Sequence, residues 1–194
     1  MQARAWADRG LSLNHLAVNV AGPQITRGDL VASCERALSA SGLMPSVLEL
    51  EVTEGFIMND AENSIDILRR LQDLGIPMSI DDFGTGYSSL AYLKRLPIDK
   101  IKVDRSFIKD IPADKDDIAI TKTIIALGEN LGLKVIAEGV ETEEQREFLL
   151  SLGCEFAQGF LFYKPMPADE FFASFMPSMN NVNDAGLISK PTVA

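Results

Sequence analysis

Short apolar runs and amphipathic helical segments alternate along this chain from one end to the other, and no other feature limits its fold so tightly. Leu16 to Val20, Val47 to Val52, Ile76 to Asp82, Ile98 to Asp104, Leu133 to Glu138 and Phe156 to Phe160 read as strands. Apolar residues at helical spacing mark 27–41, 60–75, 89–96 and 116–130, a segment after Thr142, and 168–175; the end of a further helix precedes Gly10. Pro97 stops one of these helices, and Thr142 with Gln145 has the form of a capping box. Strand and helix repeated about six times predict a parallel sheet with helical crossovers. Two architectures satisfy that order: an open doubly wound sheet and a β/α barrel.

The strand ends separate the two. Asn19, Glu51, Asp81 with Asp82, Lys102 with Asp104, Glu138 and Gln158 each sit at or near the C-terminal end of a strand. An open sheet gathers ligands at one switch point, whereas a barrel brings the ends of all its strands to one mouth. A polar ring of this kind favours the barrel, incomplete here, with about six of the usual eight β/α units. Residues 1–176 are expected to form this partial domain, and 177–194 a disordered tail.

Asp81 and Asp82 pass directly into Phe83-Gly84-Thr85-Gly86-Tyr87-Ser88-Ser89. Alone, the pair reads equally as a solvated turn or as a cation site, because adjacent buried carboxylates need a positive partner. Glu51 and Glu138 occupy the same kind of position, and Asn19 adds a neutral oxygen, so together they suit hard divalent cations. Lys102 faces the same mouth and could position a water or an anionic oxygen; its alternative is an ion pair with Asp104 or Glu138. Gly84-Thr85-Gly86 has Ser89 where a dinucleotide fingerprint needs glycine, and Asp82-Phe83-Gly84 lacks the other kinase motifs.

Composition removes further classes. A net charge of −10 argues against binding DNA, RNA or an anionic membrane through a basic face. His15 is the sole histidine and the two cysteines, Cys34 and Cys154, are far apart, which leaves no zinc cluster. No apolar run is long enough for a membrane helix, so a cytoplasmic location is expected, with any membrane anchor lying upstream in a longer parent.

Taken in order, Val18-Asn19-Val20, Glu49-Leu50-Glu51-Val52-Thr53-Glu54, Asp81 through Leu90, Ile101-Lys102-Val103-Asp104, Ala137-Glu138-Gly139-Val140-Glu141 and Gln158-Gly159-Phe160 followed by Pro165 resemble the EAL-type cyclic di-GMP phosphodiesterase domain. The resemblance covers about residues 3 to 175 and implies a modified (β/α)8 barrel that hydrolyses cyclic di-GMP to pGpG with two Mg2+ or Mn2+ ions. It implies that Asn19, Glu51 and Asp81 hold one ion and that Asp81, Asp82 and Glu138 serve the second. Lys102, Asp82 and Glu138 take catalytic roles in it, Lys102 contacting the attacking water. Glu141 and Gln158 would bind substrate at the edge. Glu54 would tether the loop after Asp82, which in this family links the site to a homodimer interface.

The sequence contains no Glu-Ala-Leu motif and is expected to begin after it, without the first two strands and one ligating glutamate. Weak or absent hydrolysis by this chain alone is therefore expected. The alternative is a non-catalytic module that senses cyclic di-GMP or binds a partner protein.

Overall fold

A computed structural model describes residues 1–11, 13–26, 29–59, 61–86 and 90–180. Six strands form one parallel sheet in chain order: β1 (Leu16–Val20), β2 (Leu48–Thr53), β3 (Met78–Phe83), β4 (Lys100–Val103), β5 (Lys134–Ala137) and β6 (Phe156–Ala157). The helices are α1 (Gln2–Asp8), α2 (Gly22–Thr26), α3 (Leu30–Ser41), α4 (Glu54–Asn59), α5 (Ala61–Asp73), α6 (Leu90–Leu93), α7 (Lys115–Leu131), α8 (Glu143–Ser151) and α9 (Ala168–Asn180). This is the expected β/α barrel sheet. It is left open, because β1 and β6 pair with one neighbour each and not with one another.

The period-2 alternation of the strands divides the sheet into two chemically different faces. Leu50, Val52, Met78, Ile80, Ile101 and Val103 are buried with Ile57, Ile65, Leu68, Leu71 and Ile124 of the helices, forming the main apolar core. The intervening residues of β2, β3 and β4 are Glu49, Glu51, Ser79, Lys100 and Lys102, and these are buried too. Glu51 and Lys102 stand on strands separated by β3, yet their side chains meet at 2.8 Å. The two long side chains bridge about 10 Å of sheet by reaching across β3 on the polar face. Glu49 and Lys100 repeat the same bridge one pleat earlier.

A smaller cluster joins the two ends of the described chain. Trp6 and Leu11 pack with Phe172 and Phe175, and Arg9 lies over the Phe172 ring. Between the free edges of the sheet opens a cleft of about 1600 Å3, bordered by Leu16 and Ala17 on one side and Phe156, Ala157 and Phe160 on the other.

Several boundaries differ from the sequence pattern, and α2 has no counterpart in it. Glu54 and Gly55, which fall between the expected strand ending at Val52 and the expected helix 60–75, open α4. The last strand is shorter than 156–160, because Gly159 turns with a φ of 154° and its α-carbon faces the Val140 backbone, where a Cβ would lie 2.2 Å from the carbonyl oxygen. Helix α9 continues to Asn180, into the stretch expected to be tail; residues 181–194 lie outside the described residues.

Candidate functional site

Parallel pairing sets the site. Register places Asn19 beside Glu51, Thr53 beside Asp81, and Val103 beside Ala137, so the strand ends reach one rim. Lys102 is 3% exposed at its centre. Its Nζ donates to Glu51 at 2.8 Å and is ion-paired with Asp81 at 3.0 Å and Glu138 at 2.7 Å. A lysine ammonium has three donors and no acceptor, which suits a place among three carboxylates. Of the two readings of Lys102, the ion pair with Glu138 is present. Gln158 adds a 2.6 Å bond from its Nε2 to Glu138 Oε1.

Asp82 stands on the outer side of the cluster, exposed, with a left-handed φ of 54°. Its N–H donates to Asp81 Oδ1 at 3.2 Å, and its carbonyl accepts from the Thr85 hydroxyl at 2.8 Å. Asp81, Asp82 and Glu138 each present an oxygen within 4.8 Å of the others. An all-oxygen set without sulfur or imidazole suits Mg2+, Mn2+ or Ca2+. Asn19 is exposed on the free edge strand, level with Glu51.

Glu54 lies buried beneath the acidic turn. Its Oε2 accepts from the Gly84 N–H at 2.9 Å, and a Cβ at Gly86 would lie 3.0 Å from its Oε1, so the loop passes tightly over the carboxylate. Tyr87, Ser88 and Ser89 lie outside the described residues. Glu141 is turned toward Arg105, whose Nη2 donates to Oε1 at 2.6 Å.

Three contacts escaped the sequence pattern. Asp104 faces Asp82 and is held by the Ser106 N–H and hydroxyl; the Asp-x-Ser turn is a local signal for the second contact but not the first. The Glu49–Lys100 bridge had a signal as well, since Glu-x-Glu and Lys-x-Lys share a two-residue period, but the register that matches them is tertiary.

Burial shapes the charges. It raises the carboxyl of Glu51 despite Lys102, and raises Asp82 with help from the charge of Asp81. Burial alone would lower Lys102, but its bonds to Glu138 and Glu51 hold it well above the usual lysine value. Burial opposes ionisation of Asp104, yet the Ser106 bonds bring it below the ordinary range. Glu138 moves furthest among the carboxyls: burial, together with Asp81 and Glu51 and against Lys102, lifts it from 4.5 to about 7.

That rise has a sign. The folded chain binds a proton at Glu138 that the unfolded chain releases, so this stabilisation is complete below 4.5 and is lost as pH rises through about 7. Melting curves in chelator are expected to show falling stability across that window. The stabilisation given by added Mn2+ is expected to grow across the same window, because ligation requires the carboxylate.

A β/α-barrel protein with an acidic, lysine-centred mouth is what this fold and site define. The family model for the EAL domain matches residues 1–165, and the chain belongs to that family. Pseudomonas aeruginosa MucR, a bifunctional diguanylate cyclase/cyclic di-GMP phosphodiesterase, is 52% identical over 173 residues, covering 89% of this chain and 25% of that protein. The cyclic di-GMP phosphodiesterase NbdA of the same organism is 48% identical over 88% of this chain and 23% of its own length. The chain thus spans about a quarter of these relatives. A structure of the MucR phosphodiesterase in complex with c-di-GMP superposes with a TM-score of 0.84, covering 88% of this chain and 69% of that one. Klebsiella pneumoniae BlrP1, in a manganese/cy-diGMP complex, gives 0.73 at 36% identity, covering 82% of this chain and 41% of that one.

Proposed function

We propose that this chain carries most of the site of a cyclic di-GMP phosphodiesterase, which hydrolyses the cyclic dinucleotide to pGpG with two Mg2+ or Mn2+ ions. One observation carries the reading: Asp81, Asp82 and Glu138 converge around Lys102 at the rim of the barrel sheet. Asn19, Glu51 and Asp81 would hold one ion, and Asp81, Asp82 and Glu138 the other, with Asp81 shared. Bound there, the ions would lower the pKa of a water and neutralise charge at the phosphoryl oxygens.

The chain's own residues do the rest. Lys102 keeps a protonated Nζ at the centre of the carboxylates, and with those carboxylates turned to the ions its donors would be released to hold the attacking water. Glu138 accepts from Gln158, which fixes its orientation, and Glu141 and Gln158 contact the nucleotide at the edge. Glu54 holds the loop after Asp82 in place, through which we expect a homodimer. A cytoplasmic site fits this substrate, and among the described residues no helix is long and apolar enough to cross a membrane.

The open sheet argues that the chain alone is weakly active or inactive. Asn19 sits on an unpaired edge, and the cleft between the edges exposes the side of the mouth next to Gln158. Chromatography of cyclic di-GMP incubated with the purified chain and Mn2+ is expected to show little or no pGpG, against clear conversion by a longer chain that closes the sheet. Equal turnover by the two would show that closure is dispensable.

A further inference from the structure

Gln145 is buried in the first turn of α8, at 5% exposure. Part of its work is helix capping: its N–H donates to the Thr142 hydroxyl at 3.2 Å, and its Oε1 accepts from the Thr142 N–H at 3.0 Å. The remaining bonds exceed a cap. Oε1 also accepts from the Glu141 N–H at 2.8 Å, while Nε2 donates to the carbonyls of Ile108 at 3.1 Å and Lys109 at 3.0 Å. Every donor and acceptor of the carboxamide is thereby used.

The two carbonyls belong to the turn that follows β4, a few residues beyond Asp104. Arg105 closes the same seam from the other side. Its guanidinium holds Glu141, and its stem lies on Gly139, where φ is 71° and a Cβ would come 2.3 Å from Arg105 Cγ. The loop bearing Glu138 and Glu141 is therefore stitched to the turn after Lys102 and Asp104 at two places.

We propose that Gln145 is a positioning residue, which sets Glu141 at the edge of the mouth by tying the loop after β5 to the turn after β4. The proposal rests on the cyclic di-GMP reading for what Glu141 contacts. Glutamate at position 145 separates the two jobs. It can still accept from Glu141 and Thr142 and complete the cap, but it has no N–H for Ile108 and Lys109 and would set an anionic oxygen against their carbonyls.

The experiment titrates cyclic di-GMP in Ca2+, and separately Mn2+ alone, into the unaltered chain, Gln145→Glu and Thr142→Ala, with amide exchange followed by NMR. Gln145→Glu is expected to weaken nucleotide binding about tenfold and to speed exchange at Ile108 and Lys109, with Mn2+ affinity unchanged. Thr142→Ala, which loses only a cap bond, should lower stability and leave nucleotide affinity alone. Nucleotide affinity in Gln145→Glu equal to that of the unaltered chain overturns the proposal, as does an equal loss in Thr142→Ala. Should the unaltered chain bind no cyclic di-GMP, the functional reading falls, and exchange alone then decides the seam: accelerated in Gln145→Glu it stands, unchanged it fails.

Discussion

Lys102→Met is expected to destabilise the metal-free chain by roughly 3–5 kcal/mol, because it removes one partner from a buried charge cluster and leaves the others uncompensated. Glu51, Asp81 and Glu138 all point at one Nζ, and each side chain is at most 14% exposed. Without the ammonium, three carboxylates share a poorly solvated space, and protonation or local opening must relieve them. A divalent cation should replace the missing charge, so Mn2+ is expected to restore much of the loss; at a hundredfold excess over its dissociation constant, the linkage is worth about 2.7 kcal/mol. Urea unfolding of both chains, with Mn2+ and with chelator, measures this. A loss below about 1 kcal/mol in chelator would match an exposed ion pair instead.

Asp81→Asn separates charge from shape. The amide fits the same space, and Lys102 retains Glu51 and Glu138, so the fold should persist with little loss. Cation binding should not persist, since Asp81 is the carboxylate shared by both proposed ions and lies in the oxygen cluster with Asp82 and Glu138. Losing an outer partner of a metal ligand costs about 10–100-fold in affinity, so losing a shared ligand should reach at least about 100-fold. Mn2+ titration followed by electron paramagnetic resonance reads it directly. An affinity within about threefold of the unaltered chain would place the ions elsewhere.

The parts of this molecule that depend on local pattern could be read without coordinates. Alternation of strand and helix gave the parallel sheet, and polar residues at strand ends gave the mouth. Thr142 and Gln145 were legible as a capping box because the motif is contained within four residues, and the structure has both of its bonds. What needed coordinates is non-local. Glu49 and Glu51 look like the solvated side of a half-exposed strand, and only the placing of β4 two strands away reveals that Lys100 and Lys102 reach across β3 to meet them.

The same limit hid the second role of Gln145. Its cap partner is three residues away, whereas its other partners, Ile108 and Lys109, lie across a seam between two loops. Arg105 likewise carries no sign in the sequence that it will reach Glu141. Asp82 was identified as an acid at a strand end, but its left-handed backbone belongs to the turn that Glu54 holds from below. Function in this chain is thus concentrated where loops from successive strands touch, and such contacts are invisible to periodicity.

On the proposed function, the acidic mouth holds cations that in turn hold cyclic di-GMP. Calorimetry of cyclic di-GMP titrated into the purified chain tests it most directly, run with Ca2+ so that turnover does not consume the ligand. Saturable binding that disappears in chelator and in Asp81→Asn is the predicted result; no binding with Ca2+ present, or binding that survives chelation unchanged, would contradict it.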